Sequence, residues 1–170
     1  MIRSLVCVAL LLAALPFAAL ARTADHARDW NGAEINWRDA RSGIYEASKT
    51  RRPVLLVFHA TWCSVCKQFR QIFKDPRIVE ASRDFVMILA DADKEKELNS
   101  EFATDGSYVP RTLFIDPDGN VSDKLVGSDR EYPHSLNVEK PDELLGLMKK
   151  ARSVFDMAPA AAPPANKEPI

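Results

Sequence analysis

Apolar residues gather into three short blocks, and polar or turn-forming residues separate them. Val54-Leu55-Leu56-Val57-Phe58 is apolar throughout, without alternation, which is the pattern of a strand covered on both faces. Val86-Met87-Ile88-Leu89-Ala90 repeats it, and Thr112-Leu113-Phe114-Ile115 predicts a third strand. Helical spacing fills the intervals. Trp37, Ala40, Ile44 and Ala47 recur on one face of a helix that Asn36 can cap and that Arg51-Arg52-Pro53 ends. Phe69, Ile72 and Phe73 share a second helical face. Asp75-Pro76 stops that helix and starts another, with Asp75 as cap, Pro76 in the first turn, and Ile78, Val79 and Phe85 on the apolar side. Pro141-Asp142-Glu143 opens a last helix with Leu144, Met148, Ala151 and Phe155 inward and Lys149, Lys150 and Arg152 toward its C-terminus.

Strand, helical crossover and strand make a βαβ unit, which is right-handed as a rule. Asp91 to Glu97 reads as a solvated helix start, and Asp105-Gly106 as a turn. Asp116-Pro117-Asp118-Gly119-Asn120 is a hairpin turn, after which Val121 to Val126 is expected to return as a fourth strand. The expected class is α/β: a central mixed sheet, built from the βαβ unit, a β-hairpin and a C-terminal helix, with helices on both faces.

The ends read differently. Arg3, the apolar run Leu5 to Leu15, Pro16 and Ala19-Leu20-Ala21 have the order of an export leader with a small-x-small cleavage site, so residues 1–21 are expected to be removed, Cys7 with them. An uncleaved anchor is the alternative, and its apolar span is marginal for a bilayer. Residues 22–36 are taken as an N-terminal extension and 37–156 as the domain. The Ala/Pro-rich stretch 157–170 is expected to be an extended, disordered tail. The chain has 170 residues, 46% hydrophobic and 28% charged, which suits one domain with a buried core. A net charge of −1 supplies no basic excess for phosphates and excludes a nucleic-acid partner.

Cys63-Ser64-Val65-Cys66 follows the first strand directly and opens a helix. Zinc would need two further ligands, and the mature chain holds no other cysteine, while His26, His59 and His134 lack ligand spacing. Covalent haem would need a histidine where Lys67 stands. No metal or other cofactor is therefore expected beyond a redox-active Cys63–Cys66 disulfide. A helix N-terminus has unpaired N–H groups and partial positive charge, both of which stabilise a thiolate. Cys63, at that end, is expected to be the exposed nucleophile; Cys66, one turn on and inward, the resolving thiol. A thiol of pKa about 8.5 is about 3% thiolate at pH 7, and lowering it to about 7, a change of about 2 kcal/mol, makes about half of it thiolate. Lys67 adds charge of the right sign, and Trp62 is expected to lean over the pair. Pro110 stands before the third strand, where a missing N–H is awkward in a ladder; a cis Val109-Pro110 bond is one explanation.

Trp62-Cys63-Ser64-Val65-Cys66-Lys67 after Val54–Phe58, with Val109-Pro110 before Thr112–Ile115, resembles the thioredoxin superfamily over Trp37 to Phe155. His59, Asp84-Phe85-Val86-Met87, Asp105 through Arg111 and Leu113 through Gly119 resemble more closely the small single-domain proteins of the thioredoxin-domain-containing-12 and anterior-gradient group of the secretory pathway. The resemblance implies a cis Val109-Pro110 bond facing the cysteines, with Tyr108, Val109, Pro110 and Arg111 at the edge where a substrate strand pairs. It also implies attack by Cys63 on a substrate disulfide, a mixed disulfide, and its resolution by the second thiol. Departures are visible. Thioredoxin's buried Asp on the strand is Val57 here, which leaves His59 as the nearest titratable group for proton transfer, its bland reading being a packed strand-end residue. Ser64-Val65 replaces the inter-cysteine pairs of the reducing and isomerising members, and Lys167-Glu168-Pro169-Ile170 is not a retention signal.

The expected function is an exported thiol–disulfide oxidoreductase, in a bacterial periplasm or, alternatively, the ER lumen or outside the cell. Its partners would be exported proteins with thiols or disulfides and a membrane-bound redox partner, the chain itself being a monomer. The competing expectation is a non-catalytic partner-binding module on the same fold. Arg111 is a candidate to steer substrate, its bland and preferred reading being an exposed charge at the strand start, and His26 and His134 are read as surface residues.

Overall fold

The computed structural model describes residues 22–157; the leader assigned to 1–21, and all of the tail but Met157, lie outside the described residues. Three strands form the sheet in the order β2–β1–β3: β1 (Val54–His59), β2 (Val86–Asp91) and β3 (Arg111–Ile115). The central strand β1 runs parallel to β2, with Val54 opposite Val86 and His59 opposite Asp91. It runs antiparallel to β3, with Val54 opposite Ile115 and Phe58 opposite Arg111. All three strands are buried along their whole length, as unbroken apolar runs require.

Alternate side chains point to opposite faces. Leu55, Val57, Met87, Leu89 and Phe114 pack with Phe69 of α2 (Ser64–Phe69), Ile78 and Val79 of α3 (Pro76–Ser82), and Leu144 and Met148 of α5 (Asp142–Val154). Leu56, Phe58, Ile88 and Leu113 face α1 (Ala40–Thr50) and α4 (Lys96–Glu101) through Ala40, Ala47 and Leu98. The helices therefore cover both faces, in a thioredoxin-like α/β arrangement. Asp75 caps α3 by accepting the Arg77 N–H at 2.8 Å, with Pro76 in the first turn.

Four sequence expectations change. First, α1 begins at Ala40, capped by Asp39, which accepts the Ser42 N–H at 2.8 Å; Asn36 accepts from Arg38 instead. Residues 37–39 stay extended because Arg38 finds the open edge of β2, donating to Met87 O at 2.8 Å and accepting from Leu89 N at 3.1 Å. The buried face of α1 is then Ala40, Gly43 and Ala47, and Ile44 is turned outward, 44% exposed. Second, the helix expected across Phe69–Phe73 ends at Phe69, and Ile72–Lys74 is a separate 3-10 turn. Third, residues 22–36 are no appendage. Trp30 is 2% exposed, its carbonyl accepts the Trp37 indole N–H at 2.6 Å, and its ring packs edge-on against Trp37 and Phe69. Fourth, the return strand after the hairpin turn shrinks to one bridge, Ile115 to Val121. What remains of that strand pairs there, with Ser122 N donating to Phe114 O at 2.8 Å, and farther back the edge of β3 is taken by His134, whose carbonyl accepts the Thr112 N–H at 2.8 Å. Leu125 meanwhile turns into the core, 1% exposed.

Candidate active site

The buried β1 delivers the chain to Ala60, whose carbonyl accepts the Cys63 N–H at 3.2 Å and closes the turn. Cys63 is the N-cap of α2, in extended backbone conformation, and its Sγ accepts the N–H of Cys66 at 3.0 Å. Sulfur thus fills the capping place that an Asp or Ser oxygen takes elsewhere. Cys63 and Cys66 form a disulfide, their Cα atoms 5.3 Å apart. The Val109–Pro110 peptide is cis, and the Val109 carbonyl oxygen lies 3.7 Å from Cys63 Sγ. The N–H and C=O of Val109 have no backbone partner among the described residues.

Behind Cys66 lies a cavity of about 210 Å³ lined by His26, Trp30, His59, Cys66, Lys67 and Arg70, among others. His59 Nε2 and Arg70 Nε are buried without a protein partner among the described residues. Burial pushes the His59 pKa down from 6.5 to about 4; the nearby Asp91 opposes the shift, and the charges of His26 and Lys94 add to it. His59 is therefore neutral at physiological pH.

The loop leading to Pro110 is held by a buried polar network. Tyr108 Oη donates to Asp105 and accepts from the His134 N–H at 2.9 Å, while His134 Nδ1 lies 2.9 Å from Asp105 Oδ2. Burial tends to raise the Asp105 pKa, but its bonds to Tyr108 and His134 outweigh that and hold the carboxyl below its ordinary value. Burial and the bond to Asp105 raise the Tyr108 pKa well above the ordinary phenol. Arg111, with no exposed surface, donates to Gly106 O and to Asn99 O and Oδ1, the last two at 3.1 and 2.7 Å. Burial lowers its pKa, and Asp105 and Tyr108 pull it back.

A family model described as thioredoxin-like matches residues 36–117. Mouse anterior gradient protein 3 is 33% identical over 131 residues, covering 73% of this chain and 74% of that one. The chain belongs to the thioredoxin superfamily. Within it, a thiol:disulfide interchange protein DsbD from Ralstonia nicotianae is 36% identical over 93 residues, covering 51% of this chain and 15% of that much longer one. A thioredoxin from Thermus thermophilus superposes with a TM-score of 0.54 at 19% identity, covering 69% of this chain and 87% of that one, and so shares the fold. Membership of this thioredoxin-like disulfide oxidoreductase family and the Cys63–Cys66 disulfide agree in kind of chemistry.

The structure brings Cys63, Cys66, Val109 and Pro110 together, with His59 and Lys67 around the cavity behind Cys66. Several placements differ from expectation. Cys63 is covered, only 4% exposed, because its sulfur is drawn in toward the Cys66 N–H and lies beneath Val109. Trp62 is 69% exposed, its indole N–H held by Asp93 at 2.8 Å, so it is turned outward. Arg111 is buried rather than exposed, because the carbonyls of Asn99 and Gly106 and the rings of Phe58 and Tyr108 surround its guanidinium. His134 is buried on Asp105, and His26 is half-buried with its ring edge-on to His59 at 5.5 Å. Asp105 and Asn99 escaped sequence reasoning as site residues. The only signal was an arginine opening an otherwise uncharged strand, which implies acceptors somewhere nearby.

Proposed function

We propose that the chain is an exported thiol–disulfide oxidoreductase that exchanges disulfides with extended segments of substrate proteins at Cys63. The observation that carries this is the Cys63 sulfur, seated on the Cys66 N–H and facing the free backbone of Val109. In the reduced protein, the N–H that meets Cys63 Sγ favours its thiolate. That thiolate attacks one sulfur of a substrate disulfide; a Cys63–substrate bond forms, the substrate S–S bond breaks, and the other substrate sulfur leaves as thiolate. Cys66 then loses its proton and attacks Cys63 Sγ. The Cys63–Cys66 bond forms, the second substrate sulfur departs with its electron pair, and the substrate is reduced as the pair is oxidised. The reverse sequence oxidises a substrate dithiol, and the partner's redox state sets the direction. Val109 offers an N–H and a carbonyl for an added substrate strand. His59 lines the same cavity as Cys66, but burial that holds its pKa at about 4 makes it a weak base, so the proton of the resolving thiol is left to solvent. Export rests on the leader-like order of residues 1–21.

The test uses Cys66→Ser, which keeps the nucleophile and removes the resolving thiol. Mixed with a peptide carrying one disulfide, it is expected to retain one peptide arm by mass, releasable by dithiothreitol. Cys63→Ser should retain none. Equal capture by both variants, or by neither, contradicts the proposal and favours a non-catalytic binding module.

A further inference from the structure

Arg111 is the first residue of β3, followed by Thr112, Leu113, Phe114 and Ile115, and it has no exposed surface. Packing alone would favour an apolar residue there, since a buried charge is costly unless its donors are used. Its two terminal nitrogens are used in one direction, while Nε has no hydrogen-bond partner among the described residues. The guanidinium reaches Gly106 O in the loop before Pro110 and both the carbonyl and side-chain oxygens of Asn99 in α4. Its plane lies over Phe58, 4.8 Å from the ring centre, and near Tyr108 at 5.9 Å. Phe58 is the register partner of Arg111 and precedes His59 and the turn that carries Cys63. One side chain thus ties together the strand end that delivers the nucleophile, α4, and the loop that presents Val109. It makes no contact with either cysteine among its hydrogen bonds.

We propose that Arg111 is a positioning residue for the substrate-pairing edge: it fixes the Gly106–Pro110 loop against β1, so that Val109 stands ready beside Cys63, without tuning the cysteines themselves. This rests on the exchange reaction proposed above and replaces substrate steering by Arg111, which its burial denies. The chemistry requires arginine. Its planar fork reaches Asn99 and Gly106 at once, whereas a lysine ammonium is a point charge that cannot span both while stacking on Phe58. The consequence is selective. A polypeptide substrate that pairs with Val109 loses its pairing edge when the loop loosens, whereas a small disulfide meets the loop only as cover over Cys63.

The test compares wild type with Arg111→Lys and Asn99→Ala, the second removing one acceptor while leaving the guanidinium in its packing. Thermal unfolding establishes that each variant is folded. Exchange is then measured with a disulfide-bonded peptide and with a small aromatic disulfide, together with the glutathione equilibrium of the cysteine pair. For Arg111→Lys, loss of hydrogen bonds from a charged donor is expected to lower kcat/KM for the peptide about tenfold, mainly through KM. The small-disulfide rate should not fall, since a looser cover only opens Cys63, the glutathione equilibrium should stay within about twofold of wild type, and Asn99→Ala should show the same split to a smaller extent. A parallel fall with both substrates, a shifted glutathione equilibrium, or no change with the peptide overturns the proposal. Amide hydrogen exchange of residues 106–109 separates this from the functional proposal. Faster exchange confined to that loop in Arg111→Lys supports positioning even if wild type fails to turn over the peptide, which would sink the oxidoreductase reading alone. Unchanged loop exchange overturns positioning whatever the activity.

Discussion

His59 ends β1 with 3% of its surface exposed, and burial holds its pKa at about 4 against an ordinary 6.5. Folded and unfolded states therefore bind protons differently. As pH falls below 6.5 the unfolded chain protonates this imidazole while the folded chain resists, so stability present above 6.5 is lost progressively as pH approaches 4. Over that whole interval the loss amounts to about 3 kcal/mol, of which about 2 kcal/mol is gone by pH 5. A domain of this size is stable by about 5–15 kcal/mol, so the effect is large enough to resolve. The perturbation is His59→Leu, which keeps bulk between Trp30 and His26 and removes the titration. The assay is urea unfolding of the oxidised protein at pH 7.5 and 5.0. Wild type is predicted to lose about 2 kcal/mol more than the variant between those two conditions. Asp105, Asp116 and Glu143, whose carboxyls are held below their ordinary values, come into play only at lower pH and are common to both proteins. Equal losses in the two proteins would refute the buried neutral imidazole.

Two further outcomes concern the helix that packs on the sheet. Gly43→Ala should destabilise the protein by about 1–3 kcal/mol in urea unfolding although alanine is the better helix former, because the added Cβ would collide with Cγ1 and Cδ1 of Ile88. Pairing it with Ile88→Ala should recover part of the loss relative to Ile88→Ala alone. Asp39→Ala removes the acceptor of the Ser42 N–H and should lower stability by about 1 kcal/mol, with no change in the reactivity of Cys63 toward a small disulfide.

The three strands, the break at Asp75-Pro76, the last helix and the cysteine pair were legible because each is a local signal: an unbroken apolar run, a cap, or a fixed spacing. What the sequence withheld depends on tertiary neighbours. Arg38 extends the sheet at β2 rather than entering α1 because a strand edge lies open beside it. The outward turn of Ile44 follows from Gly43, which draws α1 close to Ile88 and narrows its buried face. The shortened return strand reflects an edge taken beyond Ser122 by His134, some twenty residues distant along the chain from Thr112 and so invisible to a hairpin rule. The same holds at the site. Burial of Arg111 and His134 is decided by Asn99, Asp105 and Tyr108, partners whose proximity no spacing announces. Cys63 reads as an exposed nucleophile from its place at a helix start, but the loop that covers it comes from Val109, far along the chain.

The central claim is that Cys63 and Cys66 are a working redox couple rather than a structural crosslink. The measurement that tests it most directly is equilibration of the protein in glutathione buffers, with the two forms quantified by mass after alkylation. The account predicts a reversible two-electron transition at a potential between about −270 and −120 mV, the span of dithiol oxidoreductases. A disulfide that stays closed to below about −300 mV, in the range of structural crosslinks, would contradict it.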